Sequence, residues 1–217
     1  MPIFITINTS TEFICMIIGI WCLYRDKEPA WRLFIPFLIV TVLVEMFGIY
    51  LREMHRPNFM IYNVFLVVEC IVQNYFFYHL YKTYHNTRKL LIGWLIIFAV
   101  AYFAELIKNH FGAYVSQTST LMSVELILAS VYFYYLLIRE ERSRQLSAYA
   151  PFWWVNGTIC FYFAGIASNL FFTYLVQDQR YGVSGSARYI VFSILNIILY
   201  FSWSYAFICR YRQRTSS

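Results

Sequence analysis

Five glutamates, Glu12, Glu45, Glu69, Glu105 and Glu125, stand inside long apolar stretches that contain no lysine or arginine. An ionised carboxylate near the middle of a bilayer costs at least about 2.5 kcal/mol. Five such residues should therefore face a bundle interior, a water-filled cavity or one another. Carboxylates placed in this way can carry protons, bind a cationic solute or, when protonated, join neighbouring helices by donating hydrogen bonds. An all-oxygen set would also suit a hard cation such as Ca²⁺ or Mn²⁺.

Their depths sharpen this pattern. Glu12 precedes Arg25 by 13 residues, Glu69 precedes Lys82 by 13, Glu125 precedes Arg139 by 14, and Glu45 follows Arg32 by 13. With a helical rise of about 1.5 Å per residue, the four share one level, roughly 20 Å from the basic boundary of a core about 30 Å thick. Glu105, 16 residues after Lys89, falls nearer the opposite surface and within reach of Lys108. Asn196 and Asn169 fall in the same half of the core as the four. Helical spacing extends the level into polar or small-residue stripes: Thr41, Glu45 and Gly48; Glu69 and Gln73; Ser193, Asn196 and Tyr200. The expected ligand-binding set is therefore Glu12, Glu45, Glu69, Glu105, Glu125, Gln73, Asn169, Asn196 and Tyr200.

The elements that must hold these residues follow from composition. Sixty per cent of the 217 residues are hydrophobic and 13% are charged, about half the charged share of an ordinary soluble domain, and mean hydropathy is +0.55. That excludes a soluble globule and a disordered chain. Seven segments, about 4–24, 33–51, 60–81, 90–107, 118–138, 152–176 and 189–209, approach the roughly 20 apolar residues of a spanning helix. The first is the weakest, because INTSTE makes half of it polar. Connections of about a dozen residues or fewer make neighbouring helices antiparallel and leave no room for a soluble domain. The expected fold is an all-α integral membrane protein, one seven-transmembrane-helix bundle over 1–217.

Loop charge orients that bundle. Arg25, Lys27, Arg32, Lys82, Arg88, Lys89, Arg139, Arg142, Arg144, Arg210, Arg212 and Arg214 fall on one side, against Arg52, Arg56, Lys108, Arg180 and Arg188 on the other. By the positive-inside rule the first side is cytoplasmic, with the C-terminus inside and the N-terminus outside, in a plasma or bacterial inner membrane. The same rule accounts for the net charge of +6 without nucleic acid, since the cations lie in short loops rather than on one helix face. The segment MPIFITINTSTEF lacks the basic region and cleavage site of a removable signal peptide. Trp31, Trp153 and Trp154 suit interfacial anchoring or packing, and Gly157, Ala164, Gly165 and Ser168 suit close helix contact. A faint repeat, VECIVQNYFFYHLY against VELILASVYFYYLLI, hints at a duplicated hairpin.

Several chemistries lack their residues. His55, His79, His85 and His110 lie at helix ends or in loops on both sides, which argues against a histidine zinc site or bis-histidine haem. The five cysteines fall in hydrophobic stretches without a CxxC pair and read as small apolar residues. The seventh segment has no lysine for a retinal Schiff base, and the paired kink prolines of SWEET-type sugar carriers are absent. No serine at comparable depth has a histidine beside it for nucleophilic work. The expected function is a small carrier or permease for a cation, an amine or a proton-coupled solute. The alternative is a seven-helix sensor that binds a small molecule or lipid and signals through a separate cytoplasmic partner. A lipid-modifying enzyme using carboxylates as general acid and base comes third.

Overall fold

A computed structural model describes residues 6–140, 145–177 and 184–215, with the side chains of 169–177 and 184–188 outside the description. Every regular element among the described residues is helical: α1 (Ile7–Leu23), the single turn α2 (Pro29–Arg32), α3 (Phe34–Glu53), α4 (Phe59–Lys82), α5 (Arg88–Lys108), α6 (Ser116–Arg139), α7 (Ala150–Gln177) and α8 (Ser184–Thr215). A 3₁₀ turn, Leu146–Ala148, precedes α7. The seven long helices coincide with the seven apolar segments. Five stretches, Pro29–Glu53, Phe59–Lys82, Arg88–Lys108, Ser116–Arg139 and Tyr189–Thr215, are long and apolar enough to cross a bilayer. Ile7–Leu23 is apolar but shorter, at 17 residues. The 28-residue α7 is not among the five, its side chains being described only as far as Ser168.

Local chemistry starts and stops these helices. Thr6 caps α1 reciprocally with Thr9, each side chain accepting the other's backbone N–H, at 3.2 and 2.8 Å. Pro29 opens α2 at a position where its missing N–H costs nothing. Asn63 in α4 ties down the turn between α5 and α6: its amide donates to the Ala113 carbonyl and its oxygen accepts the Val115 N–H, both at 3.1 Å. That turn holds His110 and Phe111 at φ 47° and 57°, left-handed backbone that a non-glycine residue adopts only when its surroundings enforce it.

The helices close into a ring. α1 packs on α3 and α8, α3 on α4, α4 on α6, α6 on α7, and α7 on α8, while α5 stays outside against α4 and α6. The α7–α8 approach requires Gly157, where a Cβ would stand 2.7 Å from the Ser202 Cβ and 3.2 Å from the Leu199 carbonyl.

The two ends of the ring differ. At the end carrying the 24–28 turn, Trp31, Phe34, Phe76, Phe77, Trp154, Trp203 and Phe207 fill the interior, each 2% exposed or less. Ring centroids lie 4.4 Å apart for Phe76 and Trp154 and 4.7 Å for Trp31 and Phe76, and Trp154 stacks on Trp203 at 5.7 Å. Of the tryptophans suited to anchoring or packing, Trp31 and Trp154 pack. Trp153 is half-buried and donates to the Ser147 carbonyl at 3.0 Å.

An ion-pair cluster lies over this plug. The Asp26 carboxylate, fully buried, accepts from the Arg210 guanidinium at 2.8 and 3.0 Å. Arg210 also reaches Glu28 at 3.1 Å, Glu28 meets His79 at 3.0 Å, and Arg214 lies 3.9 Å from Asp26. Burial alone would raise the Asp26 pKa, but the Arg210 hydrogen bonds, the Glu28 N–H and the charges of both arginines outweigh it and hold it below the ordinary aspartate value. This cluster also explains a correction to the last helix, which runs six residues past its expected end at 209, to Thr215. Continued helix sets Arg210 and Arg214 one turn apart on the face that meets Asp26.

The bundle's exterior is apolar. Trp21, Leu43, Val64, Ile96, Leu128, Ile138 and Phe201 are among many large hydrophobic side chains left exposed. A surface of this kind invites aggregation in water and suits lipid. With the helix lengths, it points to a membrane-embedded protein.

Candidate functional site

Away from the aromatic plug the ring encloses a cavity of about 570 Å³, to which α1, α3, α4, α6, α7 and α8 all contribute lining residues. Glu12 of α1, Glu45 of α3 and Glu69 of α4 line it together, with Asn196 and Tyr200 of α8. No lysine or arginine is among its lining residues. Its solvent-exposed end is polar, lined by Tyr114 just before α6 and by Ser116, Gln117, Ser119 and Thr120 in its first turns.

The three carboxylates differ in what holds them. Tyr62 donates to Glu45 Oε2 at 3.1 Å, and Tyr162 donates to Glu69 Oε1 at 2.6 Å. Glu12 is 5% exposed and its Oε2 has no hydrogen-bond partner. An unpaired buried carboxyl oxygen costs free energy that a cation, a donor or a proton would recover. Gly48 makes room for this arrangement, since a Cβ there would stand 2.9 Å from Tyr62 Cζ. The stripe Thr41, Glu45, Gly48 thus presents one hydroxyl, one carboxylate and one seat for a tyrosine ring. Thr41 spends its own donor on the Phe37 carbonyl at 2.9 Å.

The remaining residues of the expected set go elsewhere. Gln73, one turn from Glu69, is fully buried outside the cavity lining, and neither of its amide atoms has a partner. Asn196 lines the cavity while donating to the Phe192 carbonyl at 3.0 Å. Asn169 lies on α7 with its side chain outside the described residues. Glu105, expected within reach of Lys108, lies close enough to feel its charge and also caps α6: it accepts the Gln117 N–H at 2.9 Å, and both the N–H and hydroxyl of Thr118 at 2.7 Å. Negative charge at a helix N-terminus meets its unpaired N–H groups and dipole. Glu125, expected at the level of the other three, is not among the residues that line the cavity. It lies two residues past Ser123, which lines the cavity, and so about 200° further round α6, where Asn74 donates to it at 3.4 Å.

Sequence reasoning missed Tyr62 and Tyr162, the donors to the two carboxylates. Both lie in spans, but with twenty tyrosines in the chain nothing set these two apart. Asn63, which braces the turn at the cavity mouth, carried a usable signal as a polar side chain near a helix end. Among the described residues, no three His, Cys, Asp or Glu side chains come together as a metal site. No protein family, curated protein or solved structure matches the chain.

Proposed function

We propose that the chain is a small membrane carrier that takes an organic cation, most simply an amine, into its carboxylate-lined cavity. The observation that carries this reading is the convergence of Glu12, Glu45 and Glu69, from three helices, on one cavity without a lysine or arginine lining it. At about 570 Å³ the cavity is of small-molecule size, within the range of roughly 300–1,000 Å³ usual for ligand pockets, and too large for a bare ion. Tyr62 and Tyr162 position two carboxylates, and the open Oε2 of Glu12 supplies an unused acceptor. Aromatic faces beside these acids, among them Tyr200 and Phe161, add attraction for a cation. A carboxylate that alternately holds a proton and the ligand would couple the two movements.

The topology belongs to the same proposal. The seven long helices cross the bilayer as one membrane unit, with the N-terminus and the cavity mouth outside and the basic end, with its plug and ion pairs, in the cytoplasm. The membrane is a plasma membrane or a bacterial inner membrane. Transport then requires the plug and the Asp26–Arg210 contact to part while the cavity mouth closes.

The test is uptake of radiolabelled methylammonium, choline and putrescine into proteoliposomes of the purified chain, with and without a proton gradient. Saturable uptake of at least one, lost in Glu12→Gln/Glu45→Gln/Glu69→Gln, is expected. No saturable uptake, or uptake unchanged in that variant, would overturn the carrier. Saturable binding without flux would favour the sensor reading, for which the tightly packed plug is the supporting observation.

A further inference from the structure

The glutamate that faces away from the cavity marks a second recess. Between α4, α5 and α6 lies a space of about 220 Å³ whose walls are aromatic and aliphatic except at Glu125, Asn74 and Thr87. Three of its rings belong to Tyr78, Tyr81 and Tyr132. Tyr81 is pinned by its hydroxyl, which donates to the Ala129 carbonyl at 2.6 Å. Tyr132 is bonded to His85 at 2.9 Å, and the two tyrosine rings meet edge to face at 5.3 Å. Leu90 and Leu128, each 64% exposed, form its rim on the apolar exterior.

The polar groups in this recess are incompletely paired. Thr87 is 7% exposed and its hydroxyl has no partner. Asn74 divides its amide between the Cys70 carbonyl at 3.0 Å and Glu125 at the longer 3.4 Å. No lysine or arginine lines the space. A carboxylate in an apolar recess is stabilised by a cation delivered to it, and the surrounding tyrosine faces favour the same charge.

We propose that this recess is a lipid-facing binding site for a compact lipophilic amine, with its ammonium against Glu125 and Asn74 and its alkyl chain leaving past Leu90 and Leu128. Glu125 lies nine residues into α6 from Ser116, about 14 Å along the helix. A headgroup held at the membrane surface does not descend that far, so the occupant is a free amphiphile that partitions into the bilayer rather than a phospholipid. The site shares no lining residue with the central cavity and does not depend on whether that cavity transports anything.

The experiment measures saturable binding of tritiated octylamine to the purified full chain in phosphatidylcholine nanodiscs, against a protein-free blank, with octanol as the neutral probe. It compares the parent, Glu125→Gln, Leu128→Trp and Glu12→Gln/Glu45→Gln/Glu69→Gln. Leu128→Trp fills the recess from an exposed position and keeps the test open if Glu125→Gln fails to fold. The expected result is a class of octylamine sites that survives the triple variant and weakens at least about tenfold, ~1.4 kcal/mol, in Glu125→Gln and in Leu128→Trp, with octanol binding indifferent to Glu125. Binding unchanged in both recess variants would overturn the proposal, as would octylamine binding wholly lost in the triple variant.

Discussion

Replacing Arg210 by Met removes the close cation from a buried carboxylate whose other near partner is the neutral Glu28 N–H at 2.9 Å. Asp26 is fully buried, and the guanidinium makes two contacts of 2.8 and 3.0 Å with it. Breaking a buried pair from one side costs about 3–5 kcal/mol, because an uncompensated charge remains. Arg214 stays 3.9 Å away, so the expected loss is at the low end, about 3 kcal/mol. For a chain of this length each kcal/mol shifts the melting temperature by roughly 2–4 °C, which gives a drop of about 6–12 °C. Tryptophan fluorescence during thermal unfolding in detergent is a suitable readout, since Arg210 lies over the Trp31 ring at 5.7 Å. Adding Asp26→Asn to Arg210→Met removes the stranded charge and should recover more than half of the loss. The pH dependence has a definite sign. The folded pKa of Asp26 is depressed, so its contribution is present above the ordinary aspartate value and is lost as pH falls through the depressed one. The gap between parent and Arg210→Met should therefore narrow in strong acid. A single variant melting within about 2 °C of the parent, the shift expected for less than 1 kcal/mol, would refute the reasoning. So would a double variant no better than the single.

Three further substitutions separate packing from binding. Gly48→Ala drives a Cβ into the Tyr62 ring and should cost about 1–3 kcal/mol by overpacking, with most of it recovered in a Tyr62→Ala background; a thermal melt measures both. Gly165→Leu meets nothing at its Cβ yet projects into the cavity, so methylammonium, choline and putrescine uptake should fall severalfold while the melting temperature stays within about 2 °C of the parent, a stability change under 1 kcal/mol. Glu105→Gln keeps one acceptor but removes the charge from the start of α6, and should cost about 1–2 kcal/mol while leaving uptake per folded molecule unchanged.

The helices were legible because hydropathy fixes where a chain is apolar for long enough, and the long helices fall within about three residues of the expected segments apart from α8, which starts five residues before its expected start and ends six past its expected end. The spacing of each acid from a basic loop, 13 or 14 helical residues, predicts a level. Depth does not give direction. Glu12, Glu45 and Glu69 turn inward, whereas Glu125 turns toward α5, because the angular position of a side chain depends on which neighbours its helix meets. The faint repeat pairs Glu69 with Glu125, yet the structure places them in different spaces. Spacing puts Glu105 near Lys108, and the two do lie close, but spacing does not show that the N–H groups of the following helix donate to Glu105 once the 109–115 turn folds back. Asp26 and Arg210 are 184 positions apart, and nothing local in either segment pairs them.

The central claim is a water-accessible, cation-selective cavity open at the end opposite the aromatic plug. It is tested most directly by thiol labelling of Gly165→Cys, in a background where the exposed Cys160 is replaced by Ala, in sealed vesicles of known orientation. Two membrane-impermeant methanethiosulfonates, one trimethylammonium and one sulfonate, are applied from each side in turn. The expected result is labelling from the extracellular side alone, several times faster with the cationic reagent, and loss of that preference in Glu12→Gln/Glu45→Gln/Glu69→Gln. Labelling only from the cytoplasmic side, or equal rates for the two reagents, would contradict it.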